Sequence, residues 1–211
     1  MKLEGLKINF LGDSITQCYC ATSPEFIYHR VIKKNYGLAK ANNYGVGGTR
    51  LARQTVPSTE DTIYDYTFEM RAEIMDRDVD AVVVFGGTND YGHGDAKFGN
   101  IDDESIYTYC GAINSLITKL EKDFPKAEII FMTPLHRLNE TDPHAPDNKT
   151  LEDYVVAMRE ICKNRGIKVI DLFALNNMDP ADEKLFADGL HPTDEGHAVL
   201  GEIVAQELLK L

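Results

Sequence analysis

The segment Phe10-Leu11-Gly12-Asp13-Ser14-Ile15-Thr16 decides the fold of this chain. It overlaps an apolar run, residues 6–11, that predicts a buried strand. Gly12 ends the strand, and Ser14 lies just beyond it. A serine at the carboxyl end of a first parallel strand lies where open α/β sheets bind their ligands. Taken alone, the segment is more typical of a strand-to-helix turn in which Asp13 or Ser14 caps the helix.

The composition predicts a soluble globular protein with one domain, residues 1–211. The chain is 43% hydrophobic and 27% charged, and its net charge of −12 argues against nucleic acid as a partner, because phosphate binding needs a basic face. No leader segment or membrane span is visible, so we expect a cytoplasmic location. Reduced thiols fit that expectation, since none of the four cysteines forms a Cys-x-x-Cys pair: Cys18, Cys20, Cys110 and Cys162.

Strand-like and helix-like segments alternate five times along the chain. Residues 79–85 form an almost unbroken β-branched run, which is typical of a central parallel strand buried on both faces. The alternation predicts a five-stranded parallel sheet of order 2-1-3-4-5 with helices on both faces. We also expect a helix from 103 to 123, and irregular loops of unassigned role at 135–149 and 173–189.

Polar clusters follow four of the predicted strands. Ser14 follows the first strand, residues 45–48 the second, Asn89 the third, and residues 188–191 lie between the fifth strand and the last helix. The carboxyl ends of parallel strands meet at one edge of a sheet, so we expect these clusters to converge. Singly, each is more typical of a turn or a helix cap.

Together the clusters carry the groups that acyl transfer needs. A serine nucleophile requires a base, for which His191 is available, and Asp188 three residues earlier can orient the imidazole. Backbone N–H groups at glycines can line an oxyanion hole, and the Asn89 amide can add a donor. A dinucleotide loop is discounted, because Arg50 stands where its final glycine would be.

Four blocks of the sequence resemble those of SGNH (GDSL-type) hydrolases, over nearly the full length of the chain. They are, in order, residues 12–16, 43–48, 86–90 and 188–192. Ile15 replaces the leucine of the name-giving motif, at an apolar packing position. The resemblance implies a flavodoxin-like three-layer α/β/α sandwich and a serine esterase that needs no metal or cofactor.

The resemblance also implies a role for each matching residue. Ser14 is the nucleophile, His191 the base and Asp188 its partner. The oxyanion donors are the N–H groups of Ser14 and Gly48 and the Asn89 amide; Gly47 is the competitor of Gly48 if the turn is shifted.

The substrate is expected to be a small ester with a short acyl group, such as an acetylated carbohydrate. Polar and aromatic residues of the loops, Tyr91, His93 and His136, are candidates to contact a hydrophilic alcohol, although solvated loop positions would look the same. A lysophospholipase or thioesterase is the nearest alternative. From another class, a non-catalytic flavodoxin-like protein could bind FMN or phosphate after the first strand, where Asp13 would repel it.

Overall fold

A five-stranded parallel sheet organises the protein. The computed structural model describes residues 1–58, 62–175 and 177–211. Every neighbouring pair of strands is parallel, and the order 2-1-3-4-5 confirms the predicted fold class. The strands are β1 Lys7–Gly12, β2 Lys40–Gly45, β3 Ala81–Phe85, β4 Glu128–Met132 and β5 Lys168–Ile170.

Helices cover both faces of the sheet, which makes the three layers of an α/β/α sandwich. The helices are α1 Ser14–Gln17, α2 Tyr28–Tyr36, α3 Phe68–Ala72, α4 Thr88–His93, α5 Tyr109–Asp123, α6 Leu151–Arg165, α7 Leu172–Leu175 and α8 Asp194–Lys210. Short 3₁₀ turns occupy Pro24–Phe26 and Thr62–Asp65. None of the helices in the described ranges is long and apolar enough to cross a membrane.

The central strand β3 contributes side chains to two separate hydrophobic cores, one on each face of the sheet. Ala81, Val83 and Phe85 pack into the core under α2 and α8, whereas Val82 and Val84 pack into the core under α3, α5 and α6. All five side chains are at most 2% exposed. Burial on both faces explains why the strand is continuously apolar instead of alternating.

The helix expected from residue 103 begins six residues later. Thr108 caps α5 by accepting the N–H of Gly111, while the Asp103 carboxylate accepts the N–H of Asn100 in the preceding turn. The acidic residues therefore shape a turn instead of the first turn of the helix. The sequence predicts a loop over residues 49–67 with one short helix and a restart at residues 57–59, of which Thr59 lies outside the described residues.

The register of the strands brings their carboxyl ends level. Gly12 of β1 pairs with Gly45 of β2 on one side and with Phe85 of β3 on the other. Gly45 also allows α1 to pack against the end of β2, because a Cβ there would lie 2.2 Å from the backbone nitrogen of Gln17. The segments that follow β1, β2 and β3 consequently start from neighbouring points of one sheet edge.

Candidate active site

Ser14 is the first residue of α1, directly after β1. Asp13 caps this short helix by accepting the N–H of Ile15 at 3.1 Å. The Asp13 side chain is buried, and burial raises its pKa to about 7. The structure thus gives Asp13 a role at the turn, and it leaves the Ser14 hydroxyl facing the cleft.

Ser14, His191 and Asp188 form a continuous hydrogen-bonded chain. Ser14 Oγ lies 2.9 Å from His191 Nε2, and His191 Nδ1 lies 2.7 Å from Asp188 Oδ2. Asp188 Oδ1 accepts the backbone N–H of His191 at 2.8 Å. Partial burial would raise the pKa of Asp188, but its hydrogen bonds from His191 and Leu190 outweigh that effect and leave the pKa below its ordinary value. Asp188 is therefore ionised at neutral pH and holds the imidazole in one orientation.

A tight loop carries Asp188 and His191 to the sheet edge. Gly189 adopts φ +76°, which favours glycine, and its carbonyl accepts the N–H of Leu138 at 3.0 Å. Thr193 follows and caps α8 through its hydroxyl. The loop is thus fixed at one end by the 138 region and at the other by the N-terminus of α8.

Gly48 and Gly47 differ in whether their N–H groups are already used. The N–H of Gly47 donates to Gln17 Oε1 at 2.6 Å. The N–H of Gly48 finds no acceptor within the described ranges, and Gly48 lines the cleft. Gly48 also has φ +72°, and a Cβ there would lie 2.2 Å from the Tyr64 ring. This arrangement favours Gly48 over Gly47 as the free donor.

Asn89 reaches the same cleft from the start of α4. Its amide nitrogen donates to the Thr49 carbonyl at 2.9 Å, which uses one of its two N–H bonds. The neighbouring Asp90 accepts the N–H groups of Leu51 and Ala52 at 3.0 and 2.9 Å. Asp90 is buried, and burial raises its pKa to about 6. Asp90 therefore fixes the backbone of residues 51 and 52 behind the cleft. The second N–H of the Asn89 amide is left available for a bound substrate.

Arg71 is a buried cation behind the site that sequence reasoning did not identify. Its guanidinium donates to the carbonyls of Gly12 at 2.6 Å and of Tyr44, and to the Thr49 hydroxyl at 2.8 Å. It is 1% exposed, and burial lowers its pKa to about 10. Because Thr49 in turn receives the Asn89 amide, Arg71 links the ends of β1 and β2 to an expected oxyanion donor.

These groups line an open cleft of about 490 Å³. All five residues expected in the catalytic machinery are in its wall, namely Ser14, Gly48, Asn89, Asp188 and His191. The wall also includes Gln17, Tyr19, Tyr64, His93, Arg137 and Leu190. An open polar cleft next to a serine–histidine pair suits attack on an ester carbonyl.

The three expected substrate contacts lie in different surroundings. His93 lines the cleft, and burial together with the nearby arginines lowers its pKa to about 4, so the ring is neutral. Tyr91 is 1% exposed and donates its hydroxyl to carbonyls of the 139–142 segment. His136 pairs with Glu140 at 2.8 Å and is absent from the described cleft wall. This corrects the expectation for Tyr91 and His136, whose polar atoms hold loops together.

Tyr64 and Arg137 also face the cleft; the sequence places Arg137 on a loop at the catalytic edge, whereas nothing in it singles out Tyr64. Tyr64 lies in a 3₁₀ turn of the long loop after β2, and its ring centroid is 5.6 Å from that of His93. The Arg137 guanidinium donates to the Thr88 carbonyl and hydroxyl at 3.2 and 3.1 Å. Neither position follows from a local motif, because both loops fold back over the edge from distant points of the chain.

Comparison with known proteins is consistent with this geometry. The sequence profile of the GDSL-like lipase/acylhydrolase family matches residues 10–199. A solved protein from Lactobacillus plantarum is 25% identical, with a TM-score of 0.81 and coverage of 98% of this chain and 97% of that one. No curated protein matches the chain.

Two more distant solved structures share the fold. A lipase/acylhydrolase from Enterococcus faecalis is 23% identical, with a TM-score of 0.64 and coverage of 96% of this chain and 95% of that one. The acetyl xylan esterase AlAXEase is 19% identical, with a TM-score of 0.67 and coverage of 96% and 100%. At these identities the likeness concerns the fold alone.

Proposed function

The chain belongs to the GDSL-like lipase/acylhydrolase family and is a hydrolase acting on esters, and we propose that it is a serine esterase of short-acyl esters that works through an acyl-enzyme. The observation that carries the proposal is the chain of contacts from Ser14 Oγ to His191 Nε2 at 2.9 Å and from His191 Nδ1 to Asp188 Oδ2 at 2.7 Å. The first distance is within the reach of a nucleophile and its base, and the second is within hydrogen-bond reach of the base and the carboxylate that orients it.

The path of the proton follows from the tautomer of His191, which its hydrogen bond to Asp188 selects. Ionised Asp188 accepts the Nδ1–H of His191, which leaves Nε2 without a proton and able to accept one from the Ser14 hydroxyl. Ser14 Oγ then bonds to the ester carbonyl carbon. His191 gives the proton to the leaving alcohol, and water repeats the sequence to release the acid.

Three donors are available for the negative charge that develops on the carbonyl oxygen. They are the N–H of Ser14, the N–H of Gly48 and the second N–H of the Asn89 amide. The first two lie at a helix start and at a left-handed glycine, and the third is held by its bond to Thr49. Donors fixed before the reaction stabilise the transition state without having to reorganise.

The space around Ser14 supports a short acyl group. The niche beside Leu190 is walled by apolar residues together with Asp13 and Thr88, and it leaves no room for a water molecule within the described part of the chain. A long acyl chain would therefore have to lie in the open cleft, in contact with solvent. An acetyl group needs no such burial.

The opposite side of the cleft supports a polar alcohol. Tyr64 and His93 present neighbouring rings, and Arg137 and Gln17 add hydrogen-bonding groups. Amphipathic rings and polar side chains match the faces and hydroxyls of a sugar. We therefore assign an acetylated carbohydrate as the preferred substrate class, ahead of a lysophospholipid or thioester.

Chemical labelling and a substrate series test the proposal. A fluorophosphonate should modify Ser14 in the intact protein, as located by peptide mass spectrometry. Ser14→Ala should abolish both the labelling and the turnover of p-nitrophenyl acetate, whereas Ser115→Ala on α5 should change neither. Full turnover by Ser14→Ala would eliminate the serine mechanism.

Acyl length and alcohol are tested separately. Turnover should fall from the acetyl to the decanoyl p-nitrophenyl ester, and a panel of acetylated sugars should release acetate. A rate that rises steadily with acyl length would overturn the short-acyl assignment while leaving the serine mechanism in place.

A further inference from the structure

Cys20 lies beside the Asp188–His191 pair and has no part in the proposed reaction. Its Sγ, a carboxylate oxygen of Asp188 and a ring nitrogen of His191 all lie within 4.8 Å of one another. Cys20 is exposed, so an ion can reach the three side chains from solvent. Within the described residues this is the one such cluster of three potential metal ligands.

The segment that carries Cys20 is fixed over the imidazole. The Tyr19 ring lies with its centroid 4.5 Å from that of His191. Two residues beyond Cys20, the backbone N–H of Thr22 donates to the Asp194 carboxylate at 2.8 Å, at the N-terminus of α8. Contacts on both sides of Cys20 therefore keep the thiol close to the pair.

The chemistry of the three donors selects the ion. A thiolate, an imidazole and a carboxylate with an open fourth position are the ligands of a tetrahedral Zn²⁺. Hard cations such as Mg²⁺ and Ca²⁺ prefer oxygen donors alone. We propose that Cys20, Asp188 and His191 bind one Zn²⁺ ion and that the bound ion inhibits the protein.

The separations in the cluster are close to those of a metal site. Zinc bonds of about 2.0–2.3 Å place tetrahedral ligand atoms roughly 3.3–3.8 Å apart. The oxygen and nitrogen of the Asp188–His191 pair must open from 2.7 Å, and the sulfur must close from within 4.8 Å. The pair opens by about 0.6 Å and the sulfur closes by at most about 1.5 Å, and side-chain rotation supplies shifts of this size.

Inhibition follows from where the ion binds on the imidazole. Zn²⁺ shared with Asp188 takes the Nδ1 position, so the single proton of neutral His191 moves to Nε2. Nε2 faces Ser14 Oγ and then donates instead of accepting, so it cannot take the serine proton. Cys20 binds as thiolate, and its proton passes to solvent. The binding stands on the three side chains; the inhibition rests on the proposed function.

Direct binding tests the site without reference to activity. The full chain is stripped with EDTA, kept reduced with a phosphine, and titrated with Zn²⁺ against a chromophoric zinc indicator. Wild type and Cys18→Ser should bind one equivalent with equal affinity. Cys20→Ser should bind at least about tenfold more weakly, since even loss of a second-shell partner costs that much. Equal affinity in Cys20→Ser would overturn the site.

Turnover of p-nitrophenyl acetate under the same conditions tests the inhibition. Zn²⁺ should inhibit wild type and Cys18→Ser, EDTA should restore the rate, and Mg²⁺ should have no effect. Cys20→Ser should keep its basal rate and need at least about tenfold more Zn²⁺ for the same inhibition. If one equivalent of Zn²⁺ binds and turnover is unchanged, the proposed inhibition and the role of His191 as base are refuted, whereas the zinc site stands. Absent turnover in metal-free wild type would refute the proposed function, and the indicator titration would still decide the site.

Discussion

Asn89→Ala tests two roles of the Asn89 side-chain amide, one in the stability of the fold and one in catalysis. One N–H of the Asn89 side chain donates to the Thr49 carbonyl at 2.9 Å, and the other is left for the oxyanion. Asn89 is 5% exposed, so water does not replace either bond freely. The substitution removes both donors and adds no bulk. Activity and stability should therefore change for different, separable reasons.

The expected magnitudes follow from the kind of bond that is lost. Loss of one oxyanion donor lowers kcat by about 10²–10³, which is about 3 kcal/mol of transition-state stabilisation. The Thr49 carbonyl is left without its partner, which lowers the free energy of unfolding by about 1–3 kcal/mol. KM should change little, because the donor acts mainly on charge that appears in the transition state.

The assay is steady-state hydrolysis of p-nitrophenyl acetate together with urea denaturation monitored by circular dichroism. Ile117→Val is the matched control for stability, because this residue is fully buried in α5, away from the cleft, and the change costs about 0.5–1.5 kcal/mol. The control should lose stability and keep its kcat. A kcat for Asn89→Ala within threefold of wild type would refute the assignment of Asn89 as an oxyanion donor.

Three further substitutions test the geometry. Gly48→Ala forces a Cβ to 2.2 Å from the Tyr64 ring at a backbone of φ +72°, so both kcat and the thermal midpoint should fall; if both are unchanged, the strain does not exist. Asp188→Asn should lower kcat by up to about 10⁴ at an unchanged melting temperature, because the amide selects the wrong tautomer of His191, and normal kcat would remove Asp188 from the mechanism. Burial lowers the pKa of His197 to about 4, so between pH 6.5 and 4 the unfolded chain binds a proton that the native chain does not, and stability falls as the pH falls. His197→Leu should lose less stability than wild type between pH 7 and 4.5 in urea titrations, and an equal loss would contradict this.

The sequence patterns predicted the sheet because its signals are local. The unbroken apolar run of β3, ended by Gly86, marks a strand buried on both faces, and the parallel order of the strands follows from their alternation with helices. Helix starts were less predictable, since a cap depends on competition between neighbouring side chains. At α5, Asp103 bonds within its own turn, and Thr108 is left to begin the helix.

The convergence of the four polar clusters at the sheet edge could be predicted from the strand topology alone. The contacts of the loop side chains could not, because topology does not say which way a side chain points. Tyr91 was placed correctly after β3, but on α4 its side chain is directed to the core and its hydroxyl bonds to the 139–142 segment. His93, two residues later, lines the cleft. The helical turn over these residues decides which side chain faces solvent, and no apolar periodicity in so short a segment reveals it.

Arg71 explains why a buried charge lies behind an otherwise polar site. β1 and β2 end side by side, and the Gly12 carbonyl there already accepts the N–H of Val46 at 3.1 Å. A carbonyl oxygen has two lone pairs, so it can accept a second bond from the guanidinium. The planar guanidinium has five donors, enough to bond to the carbonyls of both strands and still fix the Thr49 hydroxyl, which a lysine ammonium could not match in geometry. Thr49 then holds Asn89, so the group that ties the two strand ends together also orients an oxyanion donor. Stability of the sheet edge and preorganisation of the site are in this way one requirement, met by a single side chain.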